Sequence, residues 1–286
     1  HLTLIDFIED NSGKNYATPH NITINKSGYV FNDQSINLTE TNSTSVEITI
    51  LGSITCREIN SSITFQNSTL NAEGSCLNIT ASNIVVDGNN SILVGNGSGD
   101  GIYLSGQNNV TINGFEIRNF SNGIFSTSSV NVSMNNLSLI NNSNGITFAS
   151  TSSYNNLTDG SIVNSTNYDI NLSSGTNIVL TNFSIDSTMI YSGVNTDLTN
   201  RWYVDIQVNH SNGLALSNST ITAYDTEDSV EEIINTSASG FARLKLSEYT
   251  KEENGFTLLT PHLISSFKAG YYEDSTSVVL YNTNNT

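Results

Sequence analysis

The sequence predicts an all-β chain, a parallel β-helix solenoid followed by a small antiparallel β-sandwich. A repeat of about 22 residues runs in register through 101–122, 123–144, 145–167 and 168–189, and a fixed period of this length indicates a stacked array. Within each repeat apolar and polar residues alternate, as in strands with one buried and one exposed face. Near residue 200 the repeat gives way to strand-like runs separated by turn residues, which predicts the sandwich.

Aligning the repeats places apolar residues in three columns, one for each strand of a coil. We expect these columns to line the bore of the solenoid, because the alternating polar residues then face outward. The columns are Ile102, Ile124, Ile146 and Ile170; Val110, Val132, Leu157 and Ile178; and Phe115, Leu137, Ile162 and Phe183.

Polar residues form two further columns at the predicted corners. Asparagine and aspartate tolerate the left-handed backbone of a sharp corner, and stacked amides can bond along a ladder. The columns are Asn122, Asn144 and Asn167; and Asp87, Asn113, Asn135 and Asp159.

The clearest coils cover 77–189, and residues 21–76 show the same alternation with a looser period. We interpret 21–76 as earlier coils with an N-terminal cap. These features predict a β-helix domain over 1–199 and a sandwich domain over 200–286.

Residues 76–190 resemble the right-handed β-helix repeats of archaeal and bacterial surface proteins, a superfamily shared with pectate lyases and periplasmic copper-maturation proteins. The resemblance implies a right-handed coil. The C-terminal part is similar to the Ig-like, carboxypeptidase-regulatory type of sandwich, through Ser239–Ala242 and Lys268–Tyr271. Neither resemblance implies one function, since the β-helix fold hosts enzymes, adhesins and envelope proteins.

Composition bears on partners and location. Charged residues make up 12% of the 286 residues and the net charge is −17, so the chain lacks the basic stripe that nucleic acids and anionic membranes require. No apolar run approaches the ~18 residues of a membrane span. The chain begins at His1, so we expect that a leader has been removed and that the protein is secreted or lies at the cell surface.

Cys56 and Cys76 lie 20 residues apart, which is nearly one repeat. Successive coils would place them side by side at the ~4.8 Å strand spacing. They therefore form either a disulfide, as suits an oxidising compartment, or a pair of small buried thiols.

The sequence holds 22 Asn-x-Ser/Thr motifs, which predicts N-linked glycosylation. Many of these motifs fall in asparagine ladders, where glycans cannot occupy every rung at ~4.8 Å spacing. The preferred candidates, at loop or strand-end positions, are Asn21, Asn37, Asn209, Asn218 and Asn235.

Catalytic chemistry is sparse in the predicted coils. Asp87 and Asp159 would lie three coils apart, roughly 14 Å, beyond the ~5–9.5 Å pairing of a glycosidase. Arg118 is the single basic residue between 77 and 189, and we expect it to form a surface ion pair with Glu116. We therefore predict no catalytic residue and no enzyme.

We predict no metal site and no cofactor either. The four histidines, His1, His20, His210 and His262, are scattered and lie off the clearest coils. The acidic run 225–232 is interpreted as a solvated loop in preference to a calcium site, because it lacks the glycine-turned loop of a dedicated site.

These features predict a structural glycoprotein subunit of an extracellular filament, sheath or surface layer, of archaeal type. It would associate with copies of itself through strand edges and carry N-linked glycans. The first segment is an apolar strand candidate that either caps its own helix or adds to a neighbour's sheet. Its assembly candidates are His1, Leu2, Leu4, Ile5, Phe7 and Ile8.

The alternative is a carbohydrate-binding or adhesive module, or a polysaccharide-degrading β-helix enzyme. Tyr103 and Phe125 fall on neighbouring coils. They would stack on sugars if their side chains point outward.

Overall fold

The computed structural model describes the backbone of strands at 7–10, 13–16, 20–22 and 34–36, and residues 55–281 in full. The chain divides into two compact units, His1–Thr55 and Cys56–Thr286. The first unit contains two antiparallel pairs, and the second of them differs from the parallel coils predicted for 21–76. Their strands are β1 (Phe7–Asp10) with β2 (Gly13–Tyr16), and β3 (His20–Ile22) with β4 (Gln34–Ile36).

The second unit begins with a parallel β-solenoid of about six turns, which confirms the predicted fold class. Two long parallel sheets form its walls, and each coil contributes strands to both. Sheet A has seven strands. They are β5 (Arg57–Ile59), β8 (Leu77–Ile79), β10 (Asp100–Ser105), β12 (Asn122–Thr127), β15 (Asn144–Ala149), β18 (Tyr168–Leu172) and β21 (Ile190–Ser192).

Sheet B forms the opposite wall and continues beyond the coils. Its parallel strands are β6 (Ile63–Thr64), β7 (Thr69–Asn71), β9 (Val85–Val94), β11 (Thr111–Arg118), β13 (Ser133–Asn135), β14 (Ser138–Ile140), β17 (Asn156–Val163), β20 (Ile178–Ser184) and the start of β22 (Asp197–Gln207). A short third pair joins β16 (Ser152–Ser153) to β19 (Gly175–Thr176), and a 3-10 turn, η1, covers Ser187–Met189.

The first predicted column is confirmed, since Ile102, Ile124, Ile146 and Ile170 pair in register and are fully buried. The second and third columns are wrong by two residues in the coil 145–167. Leu157 pairs with Met134, and Ile162 pairs with Leu139.

Asn155 and Gly160 hold the two positions assigned to those leucine and isoleucine side chains. Asn155 is fully buried, and its Oδ1 accepts the backbone N–H of Val132 at 2.9 Å. Gly160 pairs with Phe183, and a Cβ at Gly160 would lie 2.5 Å from that ring. The prediction relied on apolar residues to mark bore positions. Because Asn155 and Gly160 are not apolar side chains, it chose the nearest apolar residues, Leu157 and Ile162.

The corner columns need similar corrections. Tyr168, one residue beyond Asn167, pairs with Asn144. Thr158, one residue before Asp159, pairs with Asn135. Asp159 itself has a left-handed backbone, with φ of 54°, so it makes the turn beside the column.

Strand β22 links the solenoid to the C-terminal sheets. Its first residues pair parallel with β20, and its whole length pairs antiparallel with β25 (Phe241–Glu252), which pairs in turn with β26 (Gly255–Leu258). The predicted boundary at 199/200 falls inside this strand, and the two-domain division stays a prediction. Sheet C is antiparallel, in the order β24 (Val230–Asn235), β23 (Thr220–Tyr224), β27 (His262–Phe267) and β28 (Asp274–Val278).

The two regions have separate apolar cores. The solenoid core runs from Ile59 to Leu198 and includes Tyr249. The C-terminal core lies between the end of sheet B and sheet C, and contains Ile221, Ala223, Ala242, Leu244, Leu246, Ile264 and Leu280. Among residues 55–281 no helix is long and apolar enough to cross a membrane.

Candidate functional site

Aromatic side chains project from the outer side of sheet A. Tyr103 and Phe125 occupy equivalent positions in β10 and β12, between neighbours whose side chains are buried in the bore. Because side chains alternate along a strand, both rings point outward. Their centroids lie 5.8 Å apart and their planes differ by 12°, so the two half-buried rings stack as a continuous platform.

A polar ladder runs beside this platform. Asn122 Nδ2 donates to Asp100 Oδ1 at 2.8 Å, and Asn144 Nδ2 donates to Asn122 Oδ1 at 3.0 Å. Thr147 Oγ1 donates to the same Asn122 oxygen at 2.9 Å. Burial raises the pKa of the Asp100 carboxyl, and the hydrogen bond from Asn122 lowers it in part. The ladder fixes amide and carboxylate groups at the coil spacing.

A second aromatic pair lies further along the same side of sheet A. Tyr168 continues the polar ladder in register, and Tyr191 continues the column of Tyr103 and Phe125. The two tyrosine rings lie 5.5 Å apart with a 43° tilt, and they are 38% and 44% exposed. We call this surface the aromatic face, defined by Tyr103, Phe125, Tyr168, Tyr191, Asp100, Asn122 and Asn144.

A groove of about 670 Å³ opens at the corner where β17 and β20 turn toward sheet A. Asp169 and Asp186 both line it. Asp169 follows Tyr168 of the aromatic face, and it is 2% exposed. In register, the three preceding coils carry glycine at this position, namely Gly101, Gly123 and Gly145, so Asp169 is the first residue after this run of glycines to carry a side chain there. We call this the carboxylate groove.

Hydrogen bonds hold the two carboxylates of the groove in place. Asp169 Oδ2 accepts the backbone N–H of Asp186 at 2.8 Å. Asp186 Oδ1 accepts the backbone N–H and the hydroxyl of Thr188, at 2.9 and 2.7 Å, and so begins the turn η1. Burial raises the pKa of Asp169, the N–H of Asp186 lowers it in part, and the negative charge of Asp186 raises it further. An acid with a raised pKa beside a second carboxylate has the elements of acid–base chemistry.

A shallower depression of about 370 Å³ shares Ser161 with the carboxylate groove and extends along sheet B. Glu116 lines it, and its Oε1 lies 3.2 Å from Arg118 Nη1, which confirms the predicted surface ion pair. The two depressions together follow the solenoid axis across several coils.

The aspartates considered from sequence do not form a pair. Asp87 accepts from Asn113 at 3.4 Å, and Asp159 accepts from Asn182 at 2.7 Å, so each belongs to its own polar ladder. In the acidic run 225–232, Asp225 Oδ1 accepts the N–H groups of Glu227 and Ser229 and thus closes its own turn. Within residues 55–281 no group of three or more metal-ligating side chains comes together.

The predicted modification sites are spread over the chain. Asn209, Asn218 and Asn235 are exposed in the C-terminal region, and Asn218 has a left-handed φ of 51°. Asn21 lies in β3, of which only the backbone is described, and Asn37 lies outside the described residues.

The predicted disulfide partners lie on adjacent coils. Cys56 Sγ and Cys76 Sγ are 2.06 Å apart and form a disulfide, with a Cα separation of 4.4 Å. The N-terminal assembly candidates are different: Phe7 and Ile8 lie in β1, and the other four, His1, Leu2, Leu4 and Ile5, lie outside the described residues.

Sequence reasoning missed Asp169 and Asp186. They lie 17 residues apart, less than one repeat, so no column joins them. One signal was present: Asp169 interrupts a column of glycines that is visible when 101–122, 123–144 and 145–167 are aligned.

No family model and no curated protein matches the chain. Among solved structures, the chain is similar to the catalytic domain of an alpha-1,3-glucanase (GH87) in complex with nigerose. The identity is 20%, the TM-score is 0.29, and the match covers 50% of this chain and 32% of that one.

It is also similar to tailspike protein 2 of an Escherichia coli bacteriophage, with 12% identity, a TM-score of 0.26 and coverage of 80% and 49%. The enzymatically active domain of that tailspike matches with 12% identity, a TM-score of 0.26 and coverage of 76% and 52%. The chain thus spans about half or less of the structures that it matches, and these likenesses concern the fold alone.

Two predictions from sequence are corrected at this point. The chain was predicted to be a structural subunit that self-associates through strand edges, and to have no enzymatic role. Both predictions are contradicted, because the solved structures that share the β-helix are a glucanase catalytic domain and a tailspike with an enzymatically active domain.

Proposed function

We propose that this protein binds a polysaccharide along the aromatic face. The observation that carries the proposal is the stacked, outward-facing pair Tyr103 and Phe125 beside the ladder of Asp100, Asn122 and Asn144. A sugar ring has apolar C–H faces and polar hydroxyl edges. Aromatic rings pack against the faces, while amides and carboxylates hydrogen-bond the hydroxyls.

The geometry of the solenoid suits a polymer in particular. Equivalent positions recur at the strand spacing of ~4.8 Å, which is close to the length of one pyranose residue along a chain. A polysaccharide parallel to the solenoid axis would meet the rings of Tyr103 and Phe125 on two adjacent coils. Tyr168 and Tyr191, exposed further along the same face, extend the contact beyond a single sugar.

The test is Phe125→Ala, with Phe267→Ala as the matched control. Phe267 is 54% exposed in sheet C, away from the aromatic face. Affinity electrophoresis in gels that contain single soluble polysaccharides identifies a ligand, and calorimetry measures its affinity. Loss of a central aromatic contact should weaken binding about tenfold or more. Equal binding by both variants would contradict the proposal.

Hydrolysis of the bound polymer is a second candidate function, favoured by the paired Asp169 and Asp186. In this reaction protonated Asp169 gives its proton to the glycosidic oxygen, and the C–O bond to the anomeric carbon breaks. Ionised Asp186 takes a proton from a water molecule, whose oxygen bonds to the anomeric carbon. One water is consumed, and both carboxyl groups then exchange a proton with solvent to return to their starting forms.

Asp186→Asn and Asp169→Asn should each abolish release of reducing ends. Asp159→Asn is the control, because Asp159 is exposed, forms its own ladder bond, and has a left-handed backbone that asparagine tolerates. Release of reducing ends by both groove variants at the parent rate would exclude this role.

We further propose that the protein acts outside the cell and carries N-linked glycans at Asn209, Asn218 and Asn235. The disulfide Cys56–Cys76 supports an oxidising compartment. The two facing antiparallel sheets after residue 200, with a core of their own, support an Ig-like type of C-terminal sandwich. Intact-mass measurement of protein from its native source, before and after enzymatic deglycosylation, tests the modification.

A further inference from the structure

A cleft of about 590 Å³ opens between the end of β22 and sheet C, remote in sequence from the aromatic face. The parallel pairing of β22 with β20 ends at Arg201, so beyond that residue β22 pairs with β25 alone. On the other side of the cleft, β28 is the outer strand of sheet C. The sandwich is therefore open along this side. The floor of the cleft is apolar and consists of Ile206, Val208, Leu216, Ile221 and Ile264.

Aromatic groups stand at the mouth of the cleft. The rings of His210 and Tyr271 lie 5.6 Å apart and nearly perpendicular, at 89°. Tyr271 is 44% exposed, and the next residue, Tyr272, is fully exposed. A flat apolar ring face at a rim, above an apolar floor, suits a ligand that has an apolar face of its own.

The tautomer of His210 can be derived from its hydrogen bonds. Its Nδ1 accepts the backbone N–H of Asn212 at 3.3 Å, and the hydroxyl of Ser211 lies 3.2 Å from the same nitrogen. A neutral imidazole whose Nδ1 accepts must carry its proton on Nε2. His210 therefore presents an N–H donor on the side of the ring away from its own loop.

Lys268 adds a positive charge to the lining. Its ammonium donates one hydrogen bond to the carbonyl of Ser217, which holds it at the cleft. Within residues 55–281 no carboxylate lies within ion-pair distance of it, and Asp274 is the single carboxylate among the lining residues that the structure describes. Two N–H donors of Lys268 thus remain for a ligand, in a protein whose net charge is −17.

We propose that this cleft is a second binding site, for an acidic monosaccharide such as a uronic acid or a sialic acid. The sugar carboxylate accepts hydrogen bonds from Lys268 and His210, and a C–H face of the ring packs on Tyr271. The site is separate from the aromatic face and does not rest on polysaccharide binding there.

Calorimetry and saturation-transfer NMR on the full chain test this site, with glucuronate, galacturonate, N-acetylneuraminate and neutral glucose as probes. We expect binding of at least one acid and none of glucose. Lys268→Met should weaken that binding about tenfold or more, and Lys268→Arg should largely retain it. Lys245→Met, a change at an exposed lysine outside the cleft, is the matched control.

Two further variants keep the test decisive. Tyr271→Ala should weaken binding of the acidic sugar and leave the hydrogen bond from Lys268 to Ser217 intact. This variant therefore tests the site even if Lys268→Met disturbs the fold. Phe125→Ala should leave acid binding unchanged, so that failure at the aromatic face is distinguished from failure at the cleft. Binding of glucose equal to that of the acids, no binding of any acid, or equal acid binding by Lys268→Met, Tyr271→Ala and the parent would overturn the proposal.

Discussion

Asn142 lies in the bore, where it should act as a polar link between successive coils. It is 1% exposed, its Oδ1 accepts the backbone N–H of Phe120 at 2.9 Å, and its Nδ2 donates to the carbonyl of Ile117 at 3.0 Å. Asn142→Ala removes both bonds and leaves the backbone groups in a dry interior. At about 1–3 kcal/mol for each buried group that loses its partner, the free energy of unfolding should fall by about 4 kcal/mol.

The matched control is Asn167→Ala, an exposed asparagine at a solenoid corner. Its loss should change stability by less than about 0.5 kcal/mol. For a unit of this size, 4 kcal/mol corresponds to a fall of about 10 °C in the unfolding midpoint. Far-UV circular dichroism during heating, and urea titration at fixed temperature, measure the two variants side by side. If Asn142→Ala and Asn167→Ala unfold together, the amide does not link the coils.

Three further predictions follow from the same structure. Gly160→Ala should destabilise the solenoid by about 1–3 kcal/mol in urea titrations, because its Cβ would lie 2.5 Å from both the Leu137 carbonyl oxygen and the ring of Phe183. Gly74→Ala, where a Cβ meets nothing within 4 Å, should be neutral, and equal loss by both would refute the packing argument. Reducing Cys56–Cys76, which are 20 residues apart, should lower stability by about 3 kcal/mol, and an unchanged urea midpoint in reductant would contradict this. The pKa of Asp169 is raised above its ordinary value of 3.8 in the folded protein. Its contribution to the free energy of unfolding is therefore complete below its ordinary pKa of 3.8, and it is lost as the pH rises through the pKa of the folded state. Asp169→Asn should therefore lack this decline when unfolding midpoints are compared across the acid range, and parallel pH curves would refute it.

The fold could be predicted from the sequence where the hydrophobic pattern repeats from coil to coil. The isoleucine column from Ile102 to Ile170 was predicted in the register that the structure shows. The errors at Leu157 and Ile162 arose where Asn155 and Gly160 hold bore positions. Hydrophobic alternation cannot locate such residues, because a buried amide satisfied by a neighbouring coil looks like a surface residue in the sequence.

The candidate sites could be predicted from the sequence only in part. The sequence placed Tyr103 and Phe125 on neighbouring coils, and alternation left their direction open. The pairing of Asp169 with Asp186 was not visible, since it joins the start of the repeat 168–189 to the turn η1 near the end of the same repeat. The cleft at His210 and Lys268 depends on where β22 loses its parallel partner, which local sequence does not encode.

The repeating core follows from the amino-acid sequence alone, because most coils present apolar residues at equivalent positions and can bury them only by stacking. The sequence also shows that the C-terminal region departs from this repeat. The side-chain contacts at the corners and on the sheet faces are visible in the three-dimensional structure and not in the sequence. Such contacts depend on the register between coils, and an inserted residue changes it locally: Thr127 pairs with Ala149, whereas Val130, three residues later, pairs with Ser153, four residues later.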